Sequence, residues 1–285
     1  MSVRRFPGRL AALAAALAAT LTCLAVSPAR AQDEVPFITT PDNVTLEMLQ
    51  AARVGPADHV IDLGSGDGRI VITAARRFGA SGLGVEIVPD LVEKSNRHAR
   101  DAGVADRVRF LQQDLFQTDL SPATVITMYL LPEVNLQLRP RLLALKPGTR
   151  VVSHDWDMGD WAPDRTAVVP VPDKKVGLEK SSKVHLWIVP ARVEGLWCGE
   201  GPLKEFSIRL QQKYQVIEGH ITRRQRERAF SGRVDGTRVH TDTYRTGSLV
   251  LEAVDGLLRV VDGTGPLALT RGQAFSRASG AQCGG

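Results

Sequence analysis

One stretch of this sequence concentrates residues that do chemistry: Val60-Ile61-Asp62-Leu63-Gly64-Ser65-Gly66-Asp67-Gly68-Arg69. An apolar run ends in an acid, and a glycine-rich turn leads from it into a helical pattern. Glycines at such a turn let the backbone bend sharply and approach a ligand where a side chain would collide. The spacing Gly-x-Gly-x-Gly falls one residue short of the dinucleotide fingerprint. Asp62 also disfavours a dinucleotide: its carboxylate would repel a pyrophosphate by on the order of 4 kcal/mol at 4 Å and an effective dielectric of 20. The same carboxylate suits a ligand bearing an ammonium group and a sulfonium. Glu86 ends the next apolar run, in Gly84-Val85-Glu86-Ile87, where an acid can accept both hydroxyls of a ribose. Together these residues select an adenosyl ligand without phosphates.

The elements that must position them follow from periodicity and punctuation. Pro41-Asp42 opens an amphipathic helix with Val44, Met48, Leu49 and Ala52 on one face, closed by Gly55-Pro56. Strands are expected at 59–63, 82–87, 107–112, 124–130 and 150–154, and helices at 67–78, 89–103 and 133–145. This alternation makes a parallel sheet with helices on both faces. Segments 166–171 and 183–189 read as a hairpin closing its far edge. Beyond Pro190 the pattern becomes short strands at 193–197, 206–211, 215–221, 229–234, 238–243, 248–254, 257–261 and 267–271. Asp235-Gly236, Asp255-Gly256 and Asp262-Gly263 supply turns between them, as in a small antiparallel sandwich or barrel.

With these residues in view, the chain resembles the class I S-adenosylmethionine (SAM)-dependent methyltransferases over roughly residues 36–190. It looks closest to the small protein-lysine methyltransferases that carry Asp-Leu-Gly-Ser-Gly-Asp-Gly-Arg after a short Thr-Pro-containing helix, as Thr39-Thr40-Pro41 precedes it here. The resemblance implies a Rossmann-like α/β fold with a seven-stranded sheet, and the strand pattern adds the antiparallel all-β domain at 191–285. It implies SAM as cofactor, with Asp62, Gly64 and Gly66 at the methionine moiety and Glu86 at the ribose. Ser65 and Asp67 become loop contacts, and Asp114 receives the adenine amino group. Read alone, Asp114 also suits a cap for the turn after it.

The catalytic side is less marked. In-line displacement from a sulfonium depends on positioning and electrostatics, and needs no dedicated acid or base. Residues 127–133 should face the reactive methyl, and they lack the Asn/Asp-Pro-Pro-Tyr pattern of exocyclic-amine methylation on bases. Tyr129 is a candidate there, against a half-buried structural tyrosine. His154 is a candidate proton acceptor, against a structural histidine. Asp155, with Trp156, Asp157, Asp160 and Trp161, forms an acidic and aromatic rim suited to a cationic acceptor, against an ordinary Trp-anchored loop. The acceptor is not legible; a protein lysine amine is what the resemblance implies.

Export is expected from the amino-terminal end. Arg4, Arg5 and Arg9 precede an Ala/Leu run from Leu10 to Val26, and Ala29-Arg30-Ala31 fits a signal-peptidase site. Residues 1–31 therefore read as a secretory leader cleaved near Ala31, leaving no stable membrane span and a periplasmic or secreted protein. The formal charge is +5; without the leader arginines it is about +1, which gives no electrostatic reason to expect nucleic acid. Cys198 and Cys283 remain as an even pair, expected to form a disulfide in an oxidising compartment. No metal-ligand spacing appears. Because SAM is made in the cytoplasm, the alternative to an active enzyme is an exported, non-catalytic module that retains the fold and binds adenosyl ligands.

Overall fold

The computed structural model describes residues 38–175, 179–242 and 247–283; the expected leader at 1–31 lies outside them. Helix α1 (Asp42–Ala51) buries Val44, Met48 and Leu49. Strand β1 (His59–Leu63) is apolar at its centre and carries an acid as its penultimate residue. Helix α2 (Arg69–Phe78) lies between two left-handed glycines, Gly68 and Gly79, and places Arg76 and Arg77 at the negative end of its dipole. Then come β2 (Ser81–Glu86), α3 (Pro89–Asp101) with proline at its first turn, and β3 (Val108–Gln112). Strand β4 (Val125–Met128), α4 (Pro132–Leu142) and β5 (Arg150–His154) complete the parallel part.

Strands β6 (Arg165–Pro170) and β7 (Ser181–Ile188) form the expected hairpin, and β7 runs antiparallel to β5. The sheet order is β3-β2-β1-β4-β5-β7-β6. Alternate residues face opposite layers. Val60, Val125, Val152 and Leu186 pack with α1 and α2, while Ile61, Ile126, Val151 and Trp187 pack with α4, Met158 and Trp161.

The second sheet closes on itself. It comprises β8 (Gly195–Gly199), β9 (Phe206–Lys213), β10 (Val216–Arg223), β11 (Arg226–Asp235), β12 (Arg238–Thr241), β13 (Leu249–Val254), β14 (Leu257–Gly263) and β15 (Ala274–Arg277). All pairings are antiparallel, and β15 pairs with β8 to make an eight-stranded barrel. Ile208, Leu210, Ile217, Val234, Val239, Leu251, Leu258, Val260 and Phe275 fill its interior. Gly219 stands opposite Phe230, where a Cβ would come within 2.6 Å of the ring, so glycine makes room for the phenyl group. The basic run at 223–228 is the exposed tip of the β10–β11 hairpin.

Two strand expectations need correction. The first barrel strand begins at Gly195 rather than 193. The strand expected at 267–271 is instead a 3-10 segment, Gly265–Thr270, and the closing strand is β15. The alternation of Leu267 and Leu269 suggests a buried face, yet Leu269 is 90% exposed. Left-handed Gly272 then turns the chain into the short β15.

Residues 39–285 form one compact unit. Among the described residues no helix is long and apolar enough to cross a membrane, and no cluster of side chains is suited to a metal. Cys198 and Cys283 are disulfide-bonded, with Cα atoms 5.6 Å apart and 85 residues of separation. Linking so long a loop stabilises the native state by up to about 4–5 kcal/mol through the unfolded chain. Cys283→Ser should therefore lower the barrel's unfolding free energy by a few kcal/mol in urea titrations. Equal denaturation midpoints for the two proteins would refute that contribution.

Candidate functional site

The site is built at the carboxyl ends of β1, β2 and β4, where an open parallel sheet leaves a crevice for ligands. Register sets Asp62 between Gly84 and Thr127. The Thr127 hydroxyl donates to Asp62 Oδ1 at 2.7 Å. Asp62 is 2% exposed. Burial, opposed by Thr127 and reinforced by the nearby Glu86 and Asp67 charges, raises its pKa to about 7.

The turn after it is a glycine construction. Gly64, Gly66 and Gly68 are all left-handed, with φ of 72°, 54° and 80°. A Cβ on Gly68 would lie 2.7 Å from the Phe110 ring. The amides of Gly64 and Ser65 donate to Val85 O, and the Ser95 hydroxyl donates to Gly66 O, so the loop is tied to β2 and α3. Ser65 Oγ is buried with no hydrogen-bond partner. Glu86 faces this loop: Oε2 accepts from Gly66 N at 3.0 Å, and Oε1 accepts from Ile87 N and Val88 N at 2.8 and 3.1 Å.

Other singled-out residues are committed elsewhere. The carboxylate of Asp67 is forked by Arg69, whose Nε and Nη2 donate at 2.9 and 2.7 Å; Arg69 also donates to Thr40 O. Burial would raise the Asp67 pKa, but Arg69 outweighs it and holds the carboxyl below its usual value. Asp114 caps the 3-10 turn Leu115–Gln117, accepting from Phe116 N at 2.8 Å.

His154 is 1% exposed and spans Thr40 Oγ1 at 3.1 Å and Ser182 Oγ at 2.9 Å with its two ring nitrogens. Burial pushes its pKa down to about 4, so the ring is neutral and has both nitrogens engaged. Asp155 accepts from Lys183 N and pairs with Lys174 Nζ at 2.8 Å; these interactions overcome its burial and lower its pKa. Tyr129, half-buried, lies against His154 with ring centroids 3.9 Å apart and planes tilted by 30°. Burial, then the Asp155 charge, raises its pKa. Thr127, Ser95 and Arg69 were not among the residues expected from sequence. Only Thr127 carried a signal, as the polar residue in the buried run Val125-Ile126-Thr127-Met128.

The residues fit an adenosyl ligand. Two acids flank a glycine-rich turn, a buried hydroxyl at Ser65 lacks a partner, and the local charge is negative. With the sheet order above, this fold and site define a class I SAM-dependent methyltransferase. The ANTKMT methyltransferase domain model matches residues 62–165. The chain is 40% identical over 157 residues to a protein-lysine N-methyltransferase of Saccharolobus islandicus, covering 54% of this chain and 94% of that protein. It is 34% identical over 131 residues to the adenine nucleotide translocase lysine N-methyltransferase of Mus musculus, covering 46% of this chain and 57% of that one. A solved RNA methyltransferase from Salinibacter ruber with S-adenosylhomocysteine superposes with a TM-score of 0.49 at 54% identity, over 55% of this chain and 96% of that one. The chain belongs to the ANTKMT/protein-lysine N-methyltransferase family, and its cofactor is SAM.

A ligand cation placed at Asp62 would compete with the proton that this carboxyl holds below about pH 7. SAM affinity should accordingly fall on acidification, approaching roughly a tenfold loss per pH unit. Asp62→Asn should bind more weakly at neutral pH and flatten the profile. Calorimetry in which wild type and Asp62→Asn share one pH dependence would exclude Asp62 as the titrating group.

Proposed function

We propose that this methyltransferase acts on lysine ε-amines of protein substrates, and that it does so after export. The acceptor class is carried by one observation, the 40% identity to the archaeal protein-lysine N-methyltransferase over 94% of its length. In this reading Asp62 holds the ammonium of the cofactor, with Gly64 and Gly66 at its methionine part. Glu86 takes the ribose hydroxyls, and Asp114 has its free lone pairs toward the adenine. SAM held there would supply an electrophilic methyl on a sulfonium for displacement by an amine nitrogen.

The protein's own task is to present a neutral amine in line. Lysine has an ordinary pKa near 10.4, and desolvation lowers it. Tyr129 and Trp156 offer aromatic surface beside the carboxyl ends of β4 and β5, and exposed Asp157 adds negative charge that draws in a lysine ammonium. The released proton passes to water, since His154 and Asp155 are already engaged. In this arrangement Asp67 shapes the loop through Arg69 rather than touching the ligand.

Incubating the protein with methyl-tritiated SAM and a cell-envelope extract should label protein, and acid hydrolysis should release the label as methyl-lysine. Label in RNA, or in protein at another residue, would overturn the acceptor assignment.

Export is supported by the composition of residues 1–31 and by the disulfide, a bond that persists in oxidising compartments. Amino-terminal sequencing of protein from the periplasmic fraction should begin at Gln32. Recovery of an intact Met1 start from the cytoplasm alone would refute export.

A further inference from the structure

The segment between β5 and β6, residues 155–164, leaves the sheet beside Tyr129 and carries Trp156, which is 43% exposed. It has no helix or long strand of its own, and its shape is imposed from two sides. From α4, Asn135 Nδ2 donates to Trp156 O and Asp157 O, and Arg139 Nη1 donates to Met158 O at 2.8 Å and Asp160 Oδ1 at 2.7 Å.

From the barrel comes the β9–β10 turn, Tyr214-Gln215. The Tyr214 hydroxyl donates to Asp160 Oδ1 at 3.0 Å, and Lys213 pairs with the same carboxylate. Gln215, 3% exposed, accepts from Trp161 Nε1 at 3.0 Å and donates to Ala162 O and Asp164 Oδ2 at 3.2 and 3.0 Å. Arg233 on β11 pairs with Asp164. Trp161 is fully buried, and Trp187 Nε1 donates to its carbonyl at 2.7 Å. Tyr214 also holds a left-handed backbone, φ 54°, at a hairpin turn where glycine or asparagine would sit without strain. A tyrosine kept there is explained by what its side chain reaches.

We infer that the barrel braces the acceptor side of the methyltransferase site, with Tyr214 and Gln215 as positioning residues that act through Asp160 and Trp161 on the rim at Trp156. The brace rests on the lysine reading only for the choice of acceptor probe. Tyr214→Gly is the informative variant, because it removes the side chain that touches the rim while giving the turn a residue suited to its backbone. Gln215→Ala is the second.

In the mature chain, hydrogen exchange of amides 156–161 should speed up roughly tenfold in either variant, with β9 and β10 unchanged. Affinity for S-adenosylhomocysteine should stay within about twofold, while KM for poly-L-lysine rises about fivefold with little change in kcat. Wild-type exchange rates at 156–161 in both variants would overturn the brace. So would faster exchange throughout β9 and β10 of Tyr214→Gly, which means a role confined to barrel folding. A wild-type protein that never methylates poly-L-lysine counts against the lysine reading alone, and the exchange comparison still decides the brace.

Discussion

A carboxylate at the buried end of a parallel strand needs a positive partner, and at Asp62 the donor found among the described residues is a neutral hydroxyl, Thr127. The group titrates near 3.8 in an unfolded chain and near 7 in the fold. Above pH 7 the native state therefore carries a penalty of roughly 4 kcal/mol from this one side chain, and the penalty shrinks as pH falls toward 3.8. A cationic ligand relieves it by attraction instead of protonation. The surrounding design follows from this. Glycines keep side chains away from the carboxylate, Glu86 is fixed by backbone amides at the next strand end, and Arg69 offsets the third acid, Asp67.

The acceptor side is built differently. Its polar groups are satisfied within the protein, as in the Thr40–His154–Ser182 chain and the Asp155–Lys174 pair. Buried polar groups in such closed networks rigidify a surface and contribute little reactivity. What remains open beside the ends of β4 and β5 is mostly aromatic and apolar, the Tyr129 ring, Trp156, Leu131 and Leu136, with the exposed Asp157 among them. That division suits a displacement reaction, in which the electrophile comes with the cofactor and the protein supplies orientation.

How much of this could be read from the chain varies with the range of the interactions. Asp62, the glycine turn and Glu86 were legible because each is defined by its local place at a strand end. The β6–β7 hairpin and the barrel class were legible from alternation and Asp-Gly turns. The Cys198–Cys283 pairing followed from parity and from the oxidising compartment that the leader implies. Residues 267–271 misled because two leucines alternate without burying a face, and β15 is too short to signal itself. Ser95, Gln215 and Tyr214 act across long sequence separations, so nothing beside them in the sequence marked their partners, whereas Arg69 forks Asp67 only two residues away. Asp114 carried two compatible readings, and its cap is the one formed within the chain itself.

The closure of the barrel sets an order of events during synthesis. Strand β8 pairs with β9 and with β15, so one edge of it stays unpaired until nearly the whole barrel has been made. The seven-stranded sheet has no such dependence, because its last strand, β7, precedes the barrel entirely. The amino-terminal half can thus acquire its core without waiting for the barrel strands. The barrel must wait for a contact between segments at its two ends, and long-range closure of that kind is slow. In the interval the edges of β8 and its early partners are exposed hydrogen-bonding surfaces. The Cys198–Cys283 bond spans this same closure, joining β8 to the segment after β15.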